Sequence, residues 1–132
     1  MNLGLLLNGE NLLLDDILQF SRLAEKSGAE SLWTSELVRD AFTPLAAVAS
    51  VTESVRLGTA VATFARPPMH TEIAAMTMAE LPNENFVLGL GTAPPNWNSD
   101  WHGLTVHKPV QRMREYGTCI QKMWTASLEH PI

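Results

Sequence analysis

His70, His102, His107 and His130 are the four histidines of this 132-residue chain. They are dispersed, without the spacing that gathers ligands around a metal ion, and no metal site is predicted. Cys119 is the single cysteine, so no internal disulfide can form. It falls in an apolar helical pattern away from basic clusters and reads as a buried, inert thiol. Arg112 and Arg114 can bind a phosphate group, but beside Glu115 on an amphipathic segment they suit a solvated or paired role better. Trp97 and Trp101, in a stretch rich in Pro, Asn and Trp, offer aromatic surface to cover a substrate. For Trp101, packing against an outer helix is the preferred reading. Gly89-x-Gly91 lies inside an apolar run and is too short to mark a phosphate loop.

Any such chemistry needs a scaffold. With 45% hydrophobic and 17% charged residues, the chain suits one compact domain able to bury a core. A net charge of −5 argues against a nucleic-acid partner, which would want a basic stripe. No secretory signal and no apolar run of membrane-spanning length is present, so a soluble cytoplasmic protein without a membrane partner is expected.

Apolar runs and their punctuation give four strand-helix units. Leu3–Leu7 is continuous apolar sequence ended by Asn8-Gly9, the pattern of a strand buried on both faces. Asp15 or Asp16 can cap a helix carrying Ile17, Phe20 and Ala24, which Gly28 closes. A short strand at Ser31–Thr34 precedes Thr43-Pro44, where threonine can cap a helix and proline take its first position. Val55–Ala62 reads as the third strand, and Arg66-Pro67-Pro68 breaks the chain before a helix with Ile73, Met76 and Leu81. Phe86–Gly91 is the fourth strand. Pro94-Pro95 prevents a helix directly after it, and Pro109 opens one with Val110, Met113, Gly117, Ile120 and Trp124 on a face.

Alternating strands and helices with fully apolar strands imply a parallel sheet, either a barrel or an open doubly wound sheet. The open sheet would show strand order 2-1-3-4, the barrel 1-2-3-4. A dinucleotide fold would place a glycine fingerprint after the first strand, where the chain reads Asn8-Gly9-Glu10-Asn11.

Leu32-Trp33-Thr34-Ser35-Glu36, Arg56-Leu57-Gly58-Thr59-Ala60-Val61 and Phe86-Val87-Leu88-Gly89-Leu90-Gly91-Thr92 occur in an order and spacing that resemble the luciferase-like flavin monooxygenases and deazaflavin-dependent reductases. Asp40–Leu45, Arg66-Pro67-Pro68, Trp101-His102-Gly103 and Arg112–Tyr116 extend the resemblance over nearly the whole chain. It implies an α/β fold of parallel (β/α) units, a single partial domain over 1–132. That domain is the N-terminal half, four β/α units, of a (β/α)8 TIM barrel.

The resemblance further implies an oxidoreductase or monooxygenase that uses reduced FMN or a deazaflavin (coenzyme F420) to transfer hydride or activate oxygen on a small organic substrate. Barrel enzymes keep their chemistry at the C-terminal strand ends, here Asn8, Ser35-Glu36, Ala60–Thr63 and Gly91–Pro94. Cofactor contacts are expected from Ala60, Val61, Thr63, Gly91, Thr92 and Ala93, with Thr92 weighted above Thr63. Gly58 and Gly89 are read as packing positions. The family's non-prolyl cis peptide beneath the flavin ring would join Ala60 to Val61. Glu36 stands where related enzymes carry an acidic residue or histidine, and is the expected catalytic residue; Leu37 replaces the histidine.

A complete barrel takes about 250 residues. Four units alone leave the first and fourth strands as open edges. Expected outcomes are a homodimeric pseudo-barrel, pairing with another chain, aggregation, or a truncated gene product without turnover of its own, with truncation preferred. The family's phosphate-holding residues lie in the other half, so cofactor affinity is expected to be poor.

Overall fold

The computed structural model describes residues 3–8, 11–37, 39–81 and 85–129, with side chains described as far as 126. The chain runs β1 (Gly4–Leu6), α1 (Leu14–Lys26), β2 (Ser31–Thr34), α2 (Phe42–Ala49), β3 (Arg56–Thr59), β4 (Ala62–Thr63), α3 (Pro68–Ala79), β5 (Phe86–Val87), β6 (Leu90–Gly91), α4 (Pro95–His102) and α5 (Pro109–Glu129). All pairings are parallel. The main sheet has the order β1-β2-β3-β5, and β4 pairs with β6 in a second, shorter ladder. With β3–β4 and β5–β6 each taken as one broken strand, neighbours in space follow chain order, that of a barrel rather than of an open doubly wound sheet.

Register puts Leu5 beside Leu32, Leu32 beside Leu57 and Leu57 beside Phe86. This apolar row meets Phe42, Leu45 and Val48 of α2 and Ile17 and Ala24 of α1 in the main core. A smaller core joins Phe64, behind β4, to Tyr116 and Ile120 of α5. The Tyr116 hydroxyl is 2.5 Å from Thr71 Oγ1 of α3. Burial pushes the phenol's pKa up, as does the nearby Glu36 charge, while the Thr71 bond and Arg66 act the other way.

Several local expectations need correction. β1 is not covered on both faces: Leu6 is exposed, as is Leu3 just before the strand, because no described element packs over that face. The third and fourth strands each break in two, at residues 60–61 and 88–89. The backbone of Leu13, not Asp15 or Asp16, sits at the N-cap of α1, with Asp16 accepting its N–H at 2.9 Å. Asp40 rather than Thr43 closes the front of α2, accepting N–H groups of Phe42 (2.8 Å) and Thr43 (3.2 Å). Pro44 is then the helix's third residue, still in the turn whose N–H groups have no helical partner. Pro94-Pro95 does not forbid a helix but starts one, since Pro95 takes the first position of α4, where an N–H is not needed. α3 buries Thr71, Glu72, Ala75 and Met78 while Ile73 is exposed. α5 leaves Val110 outside and instead buries Tyr116 beside Ile120.

One carboxylate ties the first unit to the third. Glu25, near the end of α1, accepts N–H groups from Glu53, Ser54 and Val55 at 3.0, 2.7 and 2.9 Å, ordering the turn that enters β3. Burial pushes its pKa up, but the Ser54, Val55 and Glu53 hydrogen bonds outweigh that and hold it below the ordinary 4.5. A carboxylate with a depressed folded pKa contributes stability that is present above its unfolded pKa and lost as pH falls through the folded one. Glu25→Gln should therefore cost about 1.5 kcal/mol at pH 7, and the difference from the native chain should shrink in urea titrations below pH 4.5. A constant difference down to acid pH would contradict this.

Candidate functional site

β3 and β5 end level with one another, and the chain leaves both through a kink. The Ala60–Val61 peptide is cis, in the position expected from the resemblance. Before the kink, Ala60 N–H donates to Thr34 O at 2.6 Å; beyond it, Glu36 N–H donates to Val61 O at 3.0 Å and Ala62 N–H to Gly89 O at 2.9 Å. The ladder is thus rejoined one step displaced, as β4 against β6. Thr59 locks the two kinks side by side. Its hydroxyl accepts Gly89 N–H at 2.9 Å and donates to Gly89 O at 2.8 Å.

The kink turns backbone toward the mouth. Thr59 and Ala62 are buried, whereas Ala60 between them is exposed and Val61 half-buried. Thr92 and Ala93, following β6, are half-buried beside them, and Ala93 takes a left-handed backbone, φ 55°. Asn98 of α4 is buried and holds this turn, its Nδ2 donating to Thr92 O at 2.9 Å. On the other side, Asn8 joins the ends of β1 and β2 by bonds with the Ser35 hydroxyl and, at 3.2 Å, the Ser35 N–H.

Glu36 is engaged at both oxygens. Oε2 accepts Thr63 N–H at 2.8 Å, and Oε1 accepts Arg66 Nε at 3.2 Å. Arg66 continues to Asp40 Oδ1 at 3.5 Å and lies over the Phe42 ring, 5.1 Å from its centroid. At Asp40 burial raises the pKa, but hydrogen bonds from Thr43 and Phe42 and the Arg66 charge prevail and hold it below the ordinary range. Arg66 and Asp40 were legible only as motif residues. Their partnership with Glu36 follows from both segments leaving adjacent parallel strands at the same end.

The predicted site residues gather unevenly. Ala60, Val61 and Thr63 lie along β3–β4, and Gly91, Thr92 and Ala93 on the paired β6 segment, so these six form one continuous floor. At Gly91 a Cβ would collide with the Val61 methyl, so the missing side chain makes room for Val61. Gly58 and Gly89 are packing positions against neighbouring strands rather than helices: a Cβ would strike the Trp33 ring and the Thr59 carbonyl oxygen respectively. Trp101 does not pack on an outer helix. It is exposed and stacks on Trp97, ring centroids 5.0 Å apart. Arg112 lies over the Phe64 ring at 5.2 Å, and Glu115 accepts from Gln111 rather than pairing with arginine. Cys119 is half-buried and lines a cleft of about 500 Å³ with Arg66 and Tyr116. His130 lies outside the described residues. Among those described, no cluster could hold a metal ion, and no helix is long and apolar enough to cross a membrane.

The floor carries no charged side chain: Ala60, Val61, Thr63, Gly91, Thr92 and Ala93 offer backbone, aliphatic and hydroxyl groups, and the neighbouring Glu36 and Arg66 are paired with one another. It also includes one buried hydroxyl, Thr63 Oγ1, with no hydrogen-bond partner among the described residues. Such a group ordinarily has one.

Strand order and all-parallel pairing are those of the first four units of a (β/α)8 barrel. The sequence profile of luciferase-like monooxygenases matches residues 1–131. The chain belongs to that family. A Mycobacterium tuberculosis protein named as a coenzyme F420-dependent oxidoreductase is 39% identical over 103 residues, 76% of this chain and 30% of the relative. The oxygenase component of the flavin-dependent trigonelline monooxygenase of Acinetobacter baylyi is 28% identical over 131 residues, 89% of this chain and 36% of the relative. The chain therefore spans about a third of the length of these curated relatives.

Two solved structures share the fold. The oxygenating constituent of 3,6-diketocamphane monooxygenase of Pseudomonas putida, in complex with FMN, superimposes with TM-score 0.81 at 16% identity, covering 94% of this chain and 40% of that one. An F420-dependent secondary alcohol dehydrogenase bound to an F420-acetone adduct gives 0.80 at 20%, covering 93% and 42%.

Proposed function

We propose that this chain supplies the ring-binding floor of an oxidoreductase or monooxygenase that uses reduced FMN or coenzyme F420 on a small organic substrate. The observation that carries the reading is the exposed, uncharged backbone at Ala60–Val61, held between two strand ends that hydrogen bonds lock together. The relatives support both cofactors, one being named for F420 and the other for flavin.

Bound there, such a cofactor would supply a hydride, or electrons for oxygen activation. Ala60 and Val61 would lie under the ring, with Gly91 allowing Val61 its place. Thr63, Thr92 and Ala93 would border it, the Thr63 hydroxyl offering a hydrogen bond. Glu36 would act as a positioning residue. Both of its oxygens already accept, one from Thr63 N–H and the other from Arg66, which favours that role over the general acid/base role also expected of it.

The test is titration of the chain with reduced FMN under anaerobic conditions, and separately with F420, followed by fluorescence. Saturable binding that weakens at least about tenfold in Ala60→Asp, a loss of about 1.4 kcal/mol, is the expected result. Equal binding by the variant would move the cofactor off this floor. If neither cofactor binds, the reading fails in favour of a non-catalytic half barrel acting as an interaction subunit or remnant.

A further inference from the structure

Strand register sorts the main sheet into two faces. Leu5, Leu32, Leu57 and Phe86 turn toward the helices in the main core. The alternate row, in which Leu6 pairs with Trp33, Trp33 with Gly58 and Gly58 with Val87, therefore faces the barrel interior. Trp33 carries the only ring among these four residues. Two glycines make its bed. A Cβ at Gly58, its partner on β3, would collide with the indole at Cζ3 and Cε3, and a Cβ at Gly4 of β1 would stand 3.1 Å from Nε1. Nε1 also donates to Ser31 Oγ at 2.9 Å. The indole is thus fixed at both ends, its six-membered ring at Gly58 and its five-membered ring beside Ser31.

We infer that Trp33 is the positioning residue beneath the cofactor ring: its indole fills the layer under Ala60 and fixes how deep the ring sits. A parallel strand rises about 3.3 Å per residue, so Ala60, two residues beyond Gly58, stands about 7 Å further along the chain on the same face. The indole lies one layer below the floor, against the strand that carries it. This inference rests on the cofactor reading given above.

The contacts that hold the indole are made among β1, β2 and β3 alone, so they stand whatever adjoins the sheet. Without the ring, the Gly58 backbone would lose its neighbour on that face, since glycine has no side chain of its own to fill the space. Packed layers answer a void of that size by shifting into it. The end of β3 would then sink at Ala60, and a flat ring resting there would lose its contact with the floor.

The test is tryptophan fluorescence of the chain, titrated anaerobically with reduced FMN and separately with F420. Subtracting the emission of Trp33→Phe from that of the native chain isolates Trp33 from Trp97, Trp101 and Trp124. That difference should vanish at saturation, because a ring seated one layer above the indole quenches it. Trp33→Phe keeps an aromatic contact with Gly58 and should bind cofactor about threefold more weakly, whereas Gly58→Ala, which drives the native indole off its bed, should bind at least about tenfold more weakly. Circular dichroism checks that both variants are folded, and Trp33→Phe carries the test alone if Gly58→Ala is not. An indole that only stabilised the sheet would leave affinity unchanged in a folded variant. Native affinity in folded Trp33→Phe, or Trp33 emission that survives saturation, would overturn the inference and leave the cofactor reading standing. A native chain that responds to neither cofactor would overturn both.

Discussion

Gly89→Ala should cost about 3 kcal/mol or more, a loss at the upper end of what overpacking usually produces. The added methyl would have to share space with the Thr59 carbonyl oxygen, a backbone atom. That carbonyl belongs to the end of β3, whose side chain is tied to Gly89 at both its N–H and its C=O. Neither strand can retreat without breaking those bonds. Domains of this size are stable by roughly 5–15 kcal/mol, so the variant should unfold at a markedly lower urea midpoint. Gly91→Ala is the control. There the obstacle is a Val61 methyl, a side chain able to turn, and the expected cost is about 1–2 kcal/mol. Equal midpoints for the two variants would mean that the paired kinks are not rigid.

Glu36→Gln should cost about 2–3 kcal/mol and also weaken cofactor binding at least about tenfold. The carboxylate accepts from Thr63 on one side and Arg66 on the other. An amide can accept with its oxygen only, so one of the two donors faces an NH₂ group. Arg66 keeps Asp40 and the Phe42 ring, which limits the loss on that side. Thr63 N–H has no such reserve, and Thr63 adjoins the kink that forms the floor. A residue that only handled a proton would lose turnover on this substitution while retaining stability and affinity. Denaturation and cofactor titration of the same variant therefore separate the two roles. Arg66→Lys should weaken the site in the same direction, since an ammonium cannot span Glu36 and Asp40 with the planar geometry of a guanidinium.

The luciferase-like motifs were legible because each is local: Leu32–Glu36 and Phe86–Thr92 are strands with the residues that leave them. The placement of the kink at Ala60–Val61 came from that resemblance, not from apolar periodicity, which reads Val55–Ala62 as one unbroken strand. Helix boundaries were less accessible. Asp40 caps α2 from two residues outside it, and threonine beside proline gave a competing signal. The Pro94-Pro95 pair reads equally as a stop or a start, and only the turn through Ala93 sets the second proline at a helix N-terminus.

The sequence by itself determined the alternation of strands with helices, because apolar period is written along the chain, and its motifs carried the resemblance that pointed to the family and to six residues at the strand ends. Tertiary structure alone decided what those residues touch. Glu36 meets Thr63 and Arg66 across 27 and 30 positions, Thr59 binds Gly89 across 30, and the glycines yield to Trp33, Thr59 and Val61. Contacts of that separation depend on register between strands, and a shift of one residue would turn every side chain to the opposite face.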